Sequence, residues 1–528
     1  MILRHLKTAE PFIRFAIWFL LVAVCYRNVQ SAFFRAESGW YQFLSHTDSE
    51  RLHFPIHLLT SRYQGHYTPL AFIGEFEMSR FAGPHEFFWK WRQITLLSVL
   101  ATAISMFTSR LARNSRISIV SAEALAWAIT ALYVFQIRMT DLIAWPFMVM
   151  QLEWLLLTVA ALAALVQIAG GSTRVGWIWM AAACAYGSMH ASGLGIATVG
   201  ATGVACLLLL SSDDFKAQAP ARGRQLATAL AIMLVFAAIH GACMNWMPRG
   251  DDIPPPVDHR IAIRPFLGFI WVFLISVTRS LIGADLAAAD SVKFLSSQWP
   301  FGVALLLAAA IVLIAFFRTI RHSSRPEQRI TFVLHVFSIM VFAGVLLLII
   351  ARQRTGLFRN QYSGLLAEPR YLVTVSLALF GSLIAVALPL VRRTPSWLSV
   401  PLLIGIGLTA FAVNQHYVAT LRPALEPRSI ISHERAWSLL VETAREARAA
   451  GLSVPNVPMG ALTKEFSTWD LKLYEPLLRS DLHLPPDEKI EFASWDVFAA
   501  GIPEEYAVSV PSLRPLVELL NLKPAPAR

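Results

Sequence analysis

The sequence predicts an all-α polytopic membrane bundle of about eleven or twelve helices, followed by a small soluble C-terminal domain that is mixed α/β or mainly helical. Three observations predict it. The 528-residue chain is 56% hydrophobic. Only 15% of its residues are charged, against about 25% in soluble domains. Several stretches reach the roughly 20 apolar residues that a bilayer crossing requires. The net charge of +11 collects in short loops between those stretches. Its basicity therefore points to membrane topology and a lipid bilayer as surroundings, not to nucleic acid.

The first apolar segment, near 11–30, follows Arg4, Lys7 and Arg14. No small-residue cleavage site follows it, so it reads as a retained helix. Further apolar segments lie near 91–109, 117–135, 143–168, 175–190, 193–210, 225–246, 266–282, 299–317, 330–350, 371–391 and 397–413. The linker HASGLG predicts a tight hairpin between 175–190 and 193–210. Its small residues suit close packing. Cys25, Cys184, Cys206 and Cys243 all fall in apolar segments without paired spacing and read as packing residues. The tryptophans read mostly as interfacial belt residues.

Lysine and arginine set the orientation. Arg110, Arg113 and Arg116 mark one inside loop, Arg174 a second, and Lys216, Arg222 and Arg224 a third. Arg318, Arg321, Arg325 and Arg329 mark a fourth, and Arg392 with Arg393 a fifth. The N-terminus is then inside, and loop 31–90 is outside. Segment 266–282 fits this alternation only as a re-entrant or surface helix. The transmembrane domain is expected over 1–417. The soluble domain is expected over 418–528, in the periplasm, folded against loop 31–90. It contains an amphipathic helix near 432–450 with Ser432 as its cap and Gly451 as its terminator.

Two regions carry candidate chemistry. The segment 352–371, RQRTGLFRNQYSGLLAEPRY, holds Arg352, Arg354, Arg359 and Arg370 against the single acid Glu368. Arginine forks match phosphate, and these lie on the outer side, where topology does not call for them. The other reading is an ordinary basic loop. Loop 31–90 holds Glu37, Asp48 and Glu50 among histidines and aromatic residues. A carboxylate at a membrane surface can deprotonate an acceptor hydroxyl. Glu37 is the expected base. Asp48 ranks behind it because TDSER reads as a turn. The alternative for Glu37 is a solvated loop acid. Asp141 follows Arg138 at a helix end, where an ion pair is the competing reading. Glu153 is an acid inside an apolar segment and a functional candidate on that ground.

Four features, in their order along the chain, resemble bacterial membrane glycosyltransferases of the GT-C class. They are Glu37 with Trp40 and Tyr41, GHYTPL at 65–70, SMHASGLG at 188–195, and the arginines ending in Glu368-Pro369-Arg370-Tyr371. The resemblance spans residues 1 to about 413. It implies a GT-C-like bundle whose first outer loop carries the catalytic acid. It also implies a polyprenyl-phosphate sugar donor, with an envelope glycan or lipid as acceptor. On this reading Glu37 and Asp48 are the catalytic candidates. Trp40, His66, Asp141, His190, Arg352, Arg354, Arg359, Arg370 and Tyr371 are the substrate-binding ones. No metal or cofactor is expected, and the location is a bacterial inner membrane. Many members have two adjacent acids where this chain has Glu37 followed by Ser38, so a catalytically inactive chain on the same fold is one alternative. A transporter or flippase of lipid-linked substrates is the other.

Overall fold

The computed structural model describes residues 2–34, 59–60, 62, 67–211, 220–248, 326–353, 373, 380–425, 430–457, 474–485 and 487–520. Over these residues the chain is the all-α bundle expected from its sequence. Six of its helices are long and apolar enough to cross a membrane, which makes it a multi-pass membrane protein.

The bundle comprises α1 (Ile2–Tyr26), α2 (Pro69–Ala82), α3 (Glu86–Asn114), α4 (Ile119–Val134), the short α5 (Met139–Ala144), α6 (Val149–Ala169), α7 (Gly176–Ala191), α8 (Gly195–Ser211), α9 (Pro220–Trp246), α10 (Pro326–Gln353), α11 (Phe380–Arg393) and α12 (Ser396–His416). Local chemistry fixes several boundaries. Ser118 caps α4 by accepting from the Ser121 amide. The expected helix over 143–168 is interrupted, because Pro146 cannot donate to the turn before it. A 3-10 turn, Pro146–Met148, therefore separates α5 from α6. The α7–α8 hairpin forms where HASGLG predicts it. Gly195 lies so close to the Ser188 carbonyl that a Cβ would collide with it. The Ser188 hydroxyl donates to the carbonyls of Ala185 and Gly195.

Two departures concern loop 31–90 and the boundary at 418. The loop contains a full helix, α2, and the first turn of α3. Helix α12 does not end near 417 but runs through a π turn, Tyr417–Leu421, into a short helix, Arg422–Leu425. The tryptophans also divide. Trp18, Trp89 and Trp154 are buried in the core, whereas Trp246 and Trp397 are exposed. Trp154 is buried because its indole N–H has a partner there, the Thr198 hydroxyl at 3.0 Å.

The helix ends sort onto two faces. On one, Arg14 and Arg113 share the carboxylates of Glu10 and Glu123 at 2.7–3.3 Å, which ties α1, α3 and α4 together. On the same face, Arg222 donates to the carbonyls of Gly171 and Ser172, and Arg329 to that of Ala169. On the other face, Asn414 at the end of α12 donates to the Tyr26 hydroxyl and the Gln136 carbonyl. Arg62 there donates to the carbonyls of Met244 and Pro248. The described arginines of those short loops, among them Arg113, Arg222 and Arg329, thus lie on one face, as the topology rule requires. Pro248 and Pro326 lie at opposite faces, while segment 266–282 falls outside the described residues.

The C-terminal domain docks on the arginine-poor face. Ser432 caps α13 (His433–Ala449) by accepting from the Arg435 amide, and Gly451 follows it with positive φ, as expected. Strand β1 (Val454–Asn456) pairs in parallel with β2 (Phe492–Ser494). Four short helices complete the domain: Glu475–Asp481, Trp495–Ala500, Glu504–Ser509 and Leu513–Leu520. Its core takes in Phe33, Phe34, Ala82 and Trp89 from both ends of loop 31–90. The Phe34 amide donates to His433 Nδ1 at 3.2 Å. Glu86 accepts from the Ser31 amide and from the Ser432 hydroxyl, both at 3.0 Å. Glu434 in turn accepts from the Glu86 amide, at the start of α3.

This arrangement predicts the outcome of cysteine labelling. Thr173→Cys, in the exposed turn before α7, and Val508→Cys, on the exposed surface of the C-terminal domain, are expected to react with an impermeant maleimide from opposite sides of the membrane. Labelling of both from one side would reject the two-face arrangement.

Candidate functional site

A cleft of about 290 Å³ opens between α2, α3 and α6 on the arginine-poor side. Three charged side chains line it, Glu77, Arg92 and Glu153, and Glu75 lies behind Arg92. Glu75 and Glu77 are on α2, Arg92 on α3 and Glu153 on α6. Arg92 and Glu153 each lie about 10 Å in from the start of their spans, at 1.5 Å per residue. Charges at that depth are costly unless paired or used.

Helix α2 explains how Glu75 reaches the interior. Phe72, Glu75, Phe76 and Ser79 recur at helical spacing and are all buried. Glu75 is therefore the acid on the buried stripe, and it is 1% exposed. Its Oε2 accepts from the Arg92 guanidinium at 2.9 Å. The same nitrogen donates to the Pro146 carbonyl at 3.0 Å, and the guanidinium lies 5.0 Å from the Trp89 ring. Gln93 donates to the carbonyls of Trp145 and Pro146. The Trp145 and Pro146 carbonyls, which already accept from the Met148 and Val149 amides of the 3-10 turn, thus also bind two side chains of α3. Burial pushes the Glu75 carboxyl up from the usual carboxylate range, and the Arg92 charge pulls it partly back.

The polar groups are not all satisfied. Glu75 Oε1 and Arg92 Nε are buried without a hydrogen-bond partner. Glu77 meets only Arg80, at 3.5 Å on the exposed surface. Glu153 makes no hydrogen bond or ion pair among the described residues. A second cluster lies beside α2. His190 packs against Tyr186 at 4.7 Å and His240 at 4.9 Å, between ring centroids, and Tyr67 lies 6.5 Å away. Among the described residues no three His, Cys, Asp or Glu side chains converge as a metal site.

Glu37, Trp40, Asp48, His66, Arg354, Arg359, Arg370 and Tyr371 lie outside the described residues. Arg352 falls in the last turn of α10, which ends on the arginine-poor face. Asp141 sits between Arg422 at 3.6 Å and Arg138 at 3.9 Å, an ion-pair position that anchors the end of α12. His190 stands in the aromatic cluster, next to the Tyr67 of GHYTPL. Glu75, Glu77 and Arg92 were not among the residues picked out from the sequence. The available signal was an acid on the apolar stripe of FIGEFEMSRF, with the arginine of WKWRQ 17 residues on. Comparison with protein-family models, with curated proteins and with solved structures found no match to this chain.

The buried pair predicts a pH-dependent defect. Arg92→Gln leaves Glu75 buried without its counter-charge, which costs about 3–5 kcal/mol. A carboxyl raised in the folded state holds a proton that the unfolded chain releases. Its stabilising proton is present below the unfolded value, near 4.5, and the stability is lost as pH rises through the folded value. Arg92→Gln should therefore melt closer to wild type at pH 5 than at pH 8, and Glu75→Gln added to it should remove the difference. A pH-independent defect would rule this account out.

Proposed function

We propose that this chain is a membrane glycosyltransferase. It moves a sugar from a polyprenyl-phosphate carrier to an envelope glycan or lipid acceptor on the outer face of a bacterial inner membrane. One observation carries the reading. Tyr67 of GHYTPL and His190 of SMHASGLG, more than 120 residues apart in sequence, meet at 6.5 Å on the arginine-poor face. Helix α10, which leads into the basic segment beginning at Arg352, ends on that same face. Its Gly344 packs against Ala197 at the start of α8. Two of the four stretches that carry the resemblance thus share one side, and the carboxylate cleft opens there too.

In this mechanism Glu37 takes the proton of the acceptor hydroxyl. The freed oxygen attacks the sugar carbon as the bond to the carrier phosphate breaks, with inversion at that carbon. The electron pair leaves with the phosphate, whose charge Arg352, Arg354, Arg359 and Arg370 stabilise. Asp48 is the second candidate base, and His66 and Tyr371 flank the donor. Trp40 offers a ring for stacking on the sugar. The positive-inside rule makes the arginine-poor face the outer one. The rival reading, a transporter of lipid-linked substrates, draws on Arg92 and Glu153, which lie inside spans.

Transfer assays separate the two. Glu37→Gln keeps the shape and removes the base, and it should lower sugar transfer about 100-fold or more with the melting temperature unchanged. Arg370→Lys, which keeps charge but loses the bidentate fork, should weaken donor use more than Arg352→Lys. Wild-type-like transfer in Glu37→Gln would reject Glu37, and lipid-linked sugar moved across vesicles without transfer would favour transport.

A further inference from the structure

The cleft between α2, α3 and α6 has a charge balance that a phosphate site would not have. One nitrogen of its arginine, Arg92 Nη2, is bound to Glu75 and to the Pro146 carbonyl, and the guanidinium lies on the Trp89 face. The Glu75–Arg92 pair is therefore close to neutral. Glu77 is matched, weakly, by Arg80. Glu153 makes no hydrogen bond or ion pair among the described residues. An anionic ligand would meet the Glu77 and Glu153 carboxyls beside an arginine whose charge Glu75 already offsets.

A hydroxyl group answers what the cleft lacks. It donates to the Glu153 carboxylate, and its oxygen accepts from a buried donor such as Arg92 Nε, which has no partner. Buried donors and acceptors left unpaired at one place call for a ligand or ordered water. Glu75, 1% exposed with Oε1 unpartnered, adds a second such group behind Arg92.

The mouth of the cleft indicates where the ligand comes from. Phe81 lines it and is 69% exposed. It continues into a row of aromatic rings, Phe81–Phe88 at 4.8 Å, Phe87–Phe88 at 5.5 Å and Phe87–Trp91 at 6.0 Å. Phe87 and Phe88 are exposed as well. Exposed apolar rings of this kind suit contact with lipid, and Trp91 at the end of the row is the type found at headgroup level. A ligand entering past them comes sideways from the membrane and keeps its acyl chains there.

We propose that this cleft binds the uncharged, hydroxyl-bearing headgroup of a membrane lipid, with Glu153 accepting its hydrogen bond. The proposal rests on the transfer reading only in identifying that headgroup as the acceptor. The donor phosphate belongs elsewhere, on the arginines beyond α10.

Native mass spectrometry of the full chain in detergent tests the site directly. The probes are monoglucosyl diacylglycerol and, as the anionic comparison, phosphatidic acid. Wild type should retain the glycolipid in preference to phosphatidic acid. Glu153→Leu should weaken glycolipid retention roughly 10- to 100-fold, the scale of a hydrogen bond to a charged group, and should leave phosphatidic acid unchanged or bound more tightly. Gly74→Trp, which adds bulk on the α2 wall of the cleft where a Cβ meets nothing within 4 Å, should also block the glycolipid, and it decides the matter if Glu153→Leu does not fold. Equal glycolipid retention in wild type and the folded variants overturns the proposal, as does no retention in wild type or a phosphatidic acid preference that depends on Arg92. A wild type that binds the glycolipid but transfers no sugar rejects the transfer reading and leaves the site standing.

Discussion

The ion pair between Glu75 and Arg92 holds together the part of the bundle where the cleft lies. A nearly inaccessible carboxylate is tolerated there only because a guanidinium meets it. That guanidinium also bonds the Pro146 carbonyl in the turn that interrupts the helix. Three separate chain segments therefore meet at one side chain: α2, the start of α3 and the break between α5 and α6. Helix α2 has 14 residues, too few to cross a bilayer. Its position on the bundle comes from this pair and from the apolar stripe around it. The cleft is the space that remains when such a short helix is fixed against two longer ones.

The spans were legible because lipid leaves little choice. Backbone groups in the hydrocarbon layer must bond within the helix, so apolar length reports the crossing directly. Short-range signals held equally well, including the Ser432 cap, the Gly451 terminator and the HASGLG turn. What escaped the sequence was interaction over distance. Asp141 looks like the partner of its neighbour Arg138, yet Arg422, which approaches it more closely, arrives from the end of α12. Helix α2 was hidden because its polar residues resemble a loop until one sees which of them are buried. Trp89 and Trp154 are exceptions to the belt reading because an indole N–H can enter a core wherever it finds an acceptor. Of the residues picked from the sequence for chemistry, Asp141, Glu153 and His190 are visible in place. Residues 35–58 of the outer loop and most of the basic segment are not among the described residues.

The two faces of the bundle are built from different chemistry. The arginine-rich face is closed by charge, with two arginines and two glutamates shared among three helices. The opposite face combines hydrogen bonds around Asn414, the ion pairs of Asp141 and Glu75, and the packing of the C-terminal domain.

The shared core between the C-terminal domain and the ends of loop 31–90 has a consequence for biogenesis. Phe34 and His433 are separated by 399 positions yet bonded to each other. A ribosome making about 5–20 residues per second delivers His433 tens of seconds after Phe34. Throughout that interval Phe33, Phe34 and Trp89 wait at the membrane surface without their partner. The domain cannot complete its interior until the first helices have been inserted the right way round, because a misoriented first helix would leave Phe33 and Phe34 across the bilayer from it. Its closure therefore depends on correct insertion, and a chain threaded wrongly would keep an open, aromatic-rich surface.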